Sequence, residues 1–108
     1  MSGFYFVAAP YTSAEDKEQR FLDITKQTAR LTKMGNNCYS PITHGHMLEK
    51  FIGPQTFEWW MATNRPFLDA CKAIIVLKFD GWEESPGVTH EIAVSRETGK
   101  LVLYQDVL

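Results

Sequence analysis

Long apolar segments are absent. The run Ala73–Leu77 falls far short of the roughly 20 residues that cross a bilayer, and no basic head with a long apolar core opens the chain as a secretory leader would. A soluble, cytoplasmic protein with no membrane partner is therefore expected. Cysteine is scarce: Cys38 and Cys71 fall inside apolar patterns with no CxxC spacing, which excludes a disulfide framework and suggests buried free thiols. A basic excess is missing too, since 11 Lys and Arg face 13 Asp and Glu for a net charge of −2. That balance argues against a nucleic-acid polymer as partner but leaves room for a single nucleotide. Neither GxGxxG nor GxxxxGK[ST] occurs, so dinucleotide binding of the usual kind and nucleoside triphosphate hydrolysis are not expected. His90 beside Glu91 completes no metal-ligand spacing, and neither a metal nor a cofactor is expected.

What is present suits one domain over residues 1–108, with 44% hydrophobic and 22% charged residues. Phe4–Ala9 is a short apolar and aromatic run stopped by Pro10, as in a buried strand. Thr12 or Ser13 is placed to cap a helix from Ala14 to Met34, which Gly35-Asn36-Asn37 ends. Cys38–Ile42 suggests a second strand, left through a loop, Thr43–His46. A helix is expected over Gln55–Asn64, with Pro66 opening a further turn to Ala70. Ala73–Leu77 is the clearest strand, apolar throughout as in a strand covered on both faces. A turn-rich segment, a helix over Val88–Glu97 and a strand over Leu101–Tyr104 complete the chain. The alternation predicts a three-layer α/β domain with a small, mostly parallel sheet of four or five strands.

In such sheets ligands sit beyond the C-terminal ends of the strands. This gathers Pro10–Ser13, His44–His46 and Asp80–Gly87 around one pocket, suited to a phosphate or a ribose at helix N-termini. Glu91 stands out, because the helix dipole would keep its carboxylate charged, as befits a nucleophile for an oxocarbenium-like sugar; stabilising its own helix is the plainer role. Asp69 is a candidate second carboxylate for the proton, or an exposed helix residue. Of His44 and His46, at alternate positions of an extended loop, one is expected at the surface. Tyr11 would face the sugar or cover the sheet edge, while Thr12 and Ser13 would bind phosphate or cap a helix. Arg20 is a surface charge or a phosphate contact. Trp59, Trp60 and Trp82 suit packing before base stacking.

Ala8-Ala9-Pro10-Tyr11, Tyr39-Ser40-Pro41-Ile42-x-His44 and above all Gly81-Trp82-x-x-Ser85-x-Gly87-Val88-x-x-Glu91 resemble the nucleoside 2-deoxyribosyltransferase-like superfamily, including its small phage and bacterial members. The similarity runs from Phe4 to about Tyr104. It implies a Rossmann-like fold and cleavage of the N-glycosidic bond of a deoxynucleoside or deoxynucleoside 5′-monophosphate, as in the monophosphate N-glycosidases. By the resemblance Glu91 is the nucleophile, Tyr11 helps to position the sugar and the carboxylate, and Ser85 and Gly87 belong to the sugar or phosphate pocket; by position, Asp69 is the candidate for the proton, and His44, Asn64, Pro10, Thr12 and Ser13 are further candidates to bind substrate. Hydrolysis is slightly favoured over transfer to a second base. The pattern is broken in two places: Asn64 falls where relatives carry an aspartate, with Asp69 out of phase, and Lys72 replaces an acid at the entrance to the third strand. A non-catalytic nucleotide-binding protein with a degenerate pocket is the alternative. A homodimer is expected, completed more simply than in relatives, because little chain follows the last strand.

Overall fold

The computed structural model describes residues 3–107. Four strands, β1 (Tyr5–Ala8), β2 (Cys38–Tyr39), β3 (Ala73–Leu77) and β4 (Leu101–Gln105), form one sheet in the order β2-β1-β3-β4. Every neighbouring pair is parallel, with Phe6 opposite Ile74 and Ile74 opposite Val102. Between them run α1 (Lys17–Lys33), α2 (Pro41–Ile52), α3 (Phe57–Ala70) and α4 (Pro86–Glu97). The α/β class expected from the sequence is the one observed, with four strands.

Alternation along the central strands divides the core. Val7, Ala9, Ile75 and Leu77 face Ile24 and Leu31 of α1, whereas Phe6, Ala8, Ile74 and Val76 meet Leu68 of α3 and Val88 and Val94 of α4. Both faces of β1 and β3 are thus covered, which is why their sequences carry no polar residues. At the edge, β4 leaves Leu101 and Tyr104 exposed.

Three local expectations are corrected. Asp16, not Thr12 or Ser13, caps α1, its carboxylate accepting the Gln19 N–H at 3.0 Å. Residues 11–14 instead close a turn, with the Ala14 N–H on the Tyr11 carbonyl at 3.1 Å. The second strand ends at Tyr39, and residues 41–46, expected as the strand's end and a loop, are the first part of α2. Ser40 accepts the Thr43 N–H at 3.2 Å and Pro41 occupies the first turn, where its missing N–H costs nothing. Finally, Pro66 interrupts no helix: α3 is continuous around it because Leu68 and the Cys71 thiol are anchored in the core just beyond.

Helix α2 also approaches α3 closely at Gly45, where an added Cβ would lie 3.0 Å from the Trp60 ring. Ile74 is fully buried at the centre of the sheet. Ile74→Ala is expected to lower unfolding free energy by about 2–5 kcal/mol, measured by urea denaturation of the purified protein; a loss below ~1 kcal/mol would contradict this packing.

Candidate active site

Chain direction reverses between β1 and β3: the segment leaving β1 leads through α1 to β2 on one side, and that leaving β3 leads through α4 to β4 on the other. At such a switch point the two connections part and leave a crevice. A cavity of about 530 Å³ occupies it, bounded by the loop after β1, by α2 and α3, and by the start of α4.

The α4 wall is built by its cap. Ser85 is buried and accepts the Val88 N–H at 3.3 Å, and Pro86 fixes the first turn. Gly87 follows as the second residue of the helix. A Cβ there would meet its neighbours only at 3.9 Å or more, so packing does not demand the glycine. Its effect is to leave space on the cavity side. One turn further, Glu91 is buried yet lines the cavity.

That burial corrects the expected charge of Glu91. Beginning at Pro86, α4 places Glu91 in its second turn, beyond the reach at which the dipole acts most strongly. Desolvation dominates and pushes its pKa up to about 8, so the free site holds a neutral carboxylic acid at pH 7.

Asn64, buried on α3, lines the cavity, as do Tyr11 and Thr12 from the loop after β1. Asp69 does not. It is exposed on the last turn of α3 and pairs with Arg65 at 2.7 Å, an i,i+4 arrangement whose spacing was readable in the sequence. Asp69 thus lies outside the cavity it was expected to share with Glu91. His44 is also outside the cavity, tilted against Tyr39 and Phe67. Its expected place is taken by His46, since residues two apart on a helix point to different sides. Pro10 is buried behind the wall and its carbonyl accepts Arg20 Nη1 at 2.7 Å, which occupies that arginine away from any phosphate. Ser13 lies by Gly81, outside the lining.

Lys17, Glu49 and Glu58, which no sequence pattern singled out, also line the cavity, as does Trp60, expected first as a packing residue. Glu49 and Trp60 become visible only once α2 and α3 are known to face each other. Tyr11 donates or accepts at His46 Nδ1 over 2.6 Å, and burial, then Glu49 and Glu18, push its phenol pKa up. Among the described residues no three His, Cys, Asp or Glu side chains converge as a metal site, and no helix is long and apolar enough to cross a membrane.

The raised pKa of Glu91 carries a sign. Folded Glu91 keeps its proton up to about pH 8, whereas the unfolded chain releases it near 4.5, so the native state binds more protons between those values. The contribution is full below 4.5 and lost as the pH rises through about 8. Glu91→Gln, which cannot ionise, is expected to gain stability relative to the parent over that window, by at most about 1.4 kcal/mol per pH unit. Parallel urea titrations from pH 5 to 9 check this, and a constant difference would refute the shift.

Among proteins of known description, a phosphatidylinositol 4-kinase gamma 4 from Oryza sativa subsp. japonica is 37% identical over 67 residues, covering 51% of this chain and 12% of the kinase. The chain thus spans only a small part of the curated relative it matches. The pattern that defines the family described as Domain of unknown function (DUF1937) extends over residues 3–106, and the chain belongs to that family.

Proposed function

We propose that this protein cleaves the N-glycosidic bond of a deoxynucleoside or deoxynucleoside 5′-monophosphate, with Glu91 as nucleophile. The observation that carries the reading is a carboxyl group buried at the wall of a cavity large enough for a nucleotide, beside a capped helix N-terminus. The Ser85-x-Gly87-x-x-x-Glu91 spacing that resembles the 2-deoxyribosyltransferase-like superfamily supports it independently.

In this mechanism Glu91 first gives its proton to water, and the carboxylate then attacks C1′ and forms an ester as the C1′–N bond breaks, its electron pair leaving with the base. The departing base takes a proton from water. A second water then attacks C1′, releases its proton and frees the Glu91 carboxylate; with a second base in place of that water the outcome is transfer. Asn64 would hold a sugar hydroxyl, as an amide cannot act as an acid at neutral pH. Lys17, Thr12 and the amides at the start of α4 would meet a phosphate, and Trp60 and Phe57 would flank the base.

A non-catalytic nucleotide-binding protein is the second reading. It is favoured by the distance of Asp69 from the cavity and by the neutral state of free Glu91, since a nucleophile must first lose its proton.

Chromatographic detection of free base, from a panel of deoxynucleosides and their 5′-monophosphates with and without an acceptor base, separates the two. Glu91→Gln is expected to reduce release by at least about a thousandfold, on the scale of losing a covalent nucleophile. Asp69→Asn should leave it within about twofold, as exposed ion pairs contribute little. Because the carboxylate is the reactive form, kcat/KM should climb with pH toward about 8 and then level. Binding without release across the panel would favour the second reading.

The same reading takes the protein as a cytoplasmic homodimer. Phe51 is 85% exposed, with Met47, Leu48 and Ile52 also exposed on α2, a face that a second copy would cover. Light scattering is expected to give twice the mass of 12.4 kDa, and Phe51→Glu to shift it toward the monomer; a parent that stays monomeric as its concentration is raised would remove the dimer from the proposal.

A further inference from the structure

A chain of four side chains leads from the cavity wall to solvent. The Tyr11 hydroxyl lies 2.6 Å from His46 Nδ1, His46 Nε2 lies 3.0 Å from Glu18 Oε2, and Lys50 Nζ donates to Glu18 Oε1 at 3.2 Å. The ring of His46 is clamped as well: Phe21 stacks on it at 4.1 Å between centroids, 11° from parallel, and Tyr11 meets it edge-on at 5.8 Å. Only 9% of the His46 side chain is exposed, against 56% of Glu18 and 50% of Lys50. The inner half of the chain is therefore fixed, and the outer half is in water.

The direction of each hydrogen bond follows from the outer end inward. Hydrogen bonds from Lys50 and then His46 hold the Glu18 carboxyl below its usual pKa, so it is a carboxylate and can only accept. His46 must then carry its proton on Nε2. In the neutral ring Nδ1 is left bare, an acceptor 2.6 Å from the phenol, and Tyr11, whose proton is retained, must donate to it. With its only hydrogen engaged, the phenol of this cavity-lining tyrosine has only lone pairs left to offer a ligand.

We infer that Glu18 and His46 are positioning residues that fix Tyr11 as a hydrogen-bond acceptor toward the cavity, so that this wall takes a donor group of the ligand, a sugar hydroxyl in place of a carbonyl or phosphate oxygen. The sugar assignment rests on the proposed glycosidase reading; the polarity of Tyr11 does not. This gives the histidine a task that neither the nucleophile nor the proton economy of the reaction requires. It also makes the wall selective, because a ligand acceptor placed against the Tyr11 oxygen would leave two lone pairs facing each other, unpaired and out of water.

Nitrogen-15 NMR of the intact protein, labelled in its three histidines, tests the polarity directly. At pH 8 His46, assigned by its loss in His46→Asn, is expected to show the Nε2–H tautomer with an unprotonated Nδ1. An Nδ1–H tautomer or an equal mixture would overturn the inference, whatever the activity. Glu18→Gln is expected to move the ring toward such a mixture. Calorimetric binding then tests the ligand class. Deoxynucleosides methylated on a sugar hydroxyl should bind about tenfold more weakly than the parent compound, the size of one lost hydrogen bond. Tyr11→Phe should erase that difference, and His46→Asn, whose amide oxygen can take the place of Nδ1, should restore more of it than His46→Leu. Equal binding of alcohol and methyl ether overturns the donor selection. Failure of every nucleoside to bind overturns the glycosidase reading and the sugar assignment with it, while the tautomer still decides the polarity of Tyr11.

Discussion

The parallel pairing of β1 with β3 governs the rest of the molecule. Tyr5 to Ala8 lie against Ala73 to Val76 at the centre of the sheet, and the chain departs from these two neighbours in opposite directions. Right-handed crossovers then put α1 on one face and α4 on the other. The cavity is a consequence: between two diverging connections no side chain of the sheet fills the space above the strand ends. Apolar burial on both faces of β1 and β3 therefore supplies the stability that lets the same fold carry polar groups in its crevice.

Glu91 is the most expensive of those groups. Its neighbours on α4 that face inward, Val88 and Val94, join the hydrophobic core, and the helix carries the carboxyl to a comparable depth. Ionising it there requires stripping water from a charge with little in return, and the group responds by keeping its proton. A glutamine would fit with less penalty. A carboxyl buried where an amide would be easier to bury is the feature on which the proposed role of Glu91 rests.

How much of this was legible in the sequence differs by element, for physical reasons. Ala73–Leu77 could be bounded to the residue because a strand buried on both faces is apolar throughout and ends where charge begins. The α4 mouth was legible because Ser85, Gly87 and Glu91 are close in sequence and their spacing is local. The start of α2 was not, since Ser40-Pro41 signals the end of a strand and the start of a helix equally well. Ile42, Thr43 and Gly45 are all poor helix formers, and what decides in favour of a helix is tertiary: Gly45 lets α2 lie against the Trp60 ring. That one error put His44 in place of His46 at the cavity, because a loop and a helix aim the two side chains differently. Asp69 failed for the opposite reason. Its local pairing with Arg65 was available, but its place just before the third strand made it the candidate for a second carboxylate in a pocket it does not reach.

Long-range polar pairs are the part no local pattern discloses. Glu18 and His46 are separated by 28 residues and belong to different helices, and each taken alone resembles an ordinary surface group. Packing of α1 against α2 joins them, with Phe21 supplying an apolar face that excludes water from one side of the imidazole. An exposed ion pair such as Lys50 with Glu18 contributes little stability by itself. Its consequence here lies in direction: by fixing Glu18 as a carboxylate it fixes the tautomer of His46, and through it the orientation of a hydroxyl at the cavity wall. A weak surface interaction thus acquires chemical meaning because two hydrogen bonds and a stacked ring hold the neutral imidazole between them to one tautomer.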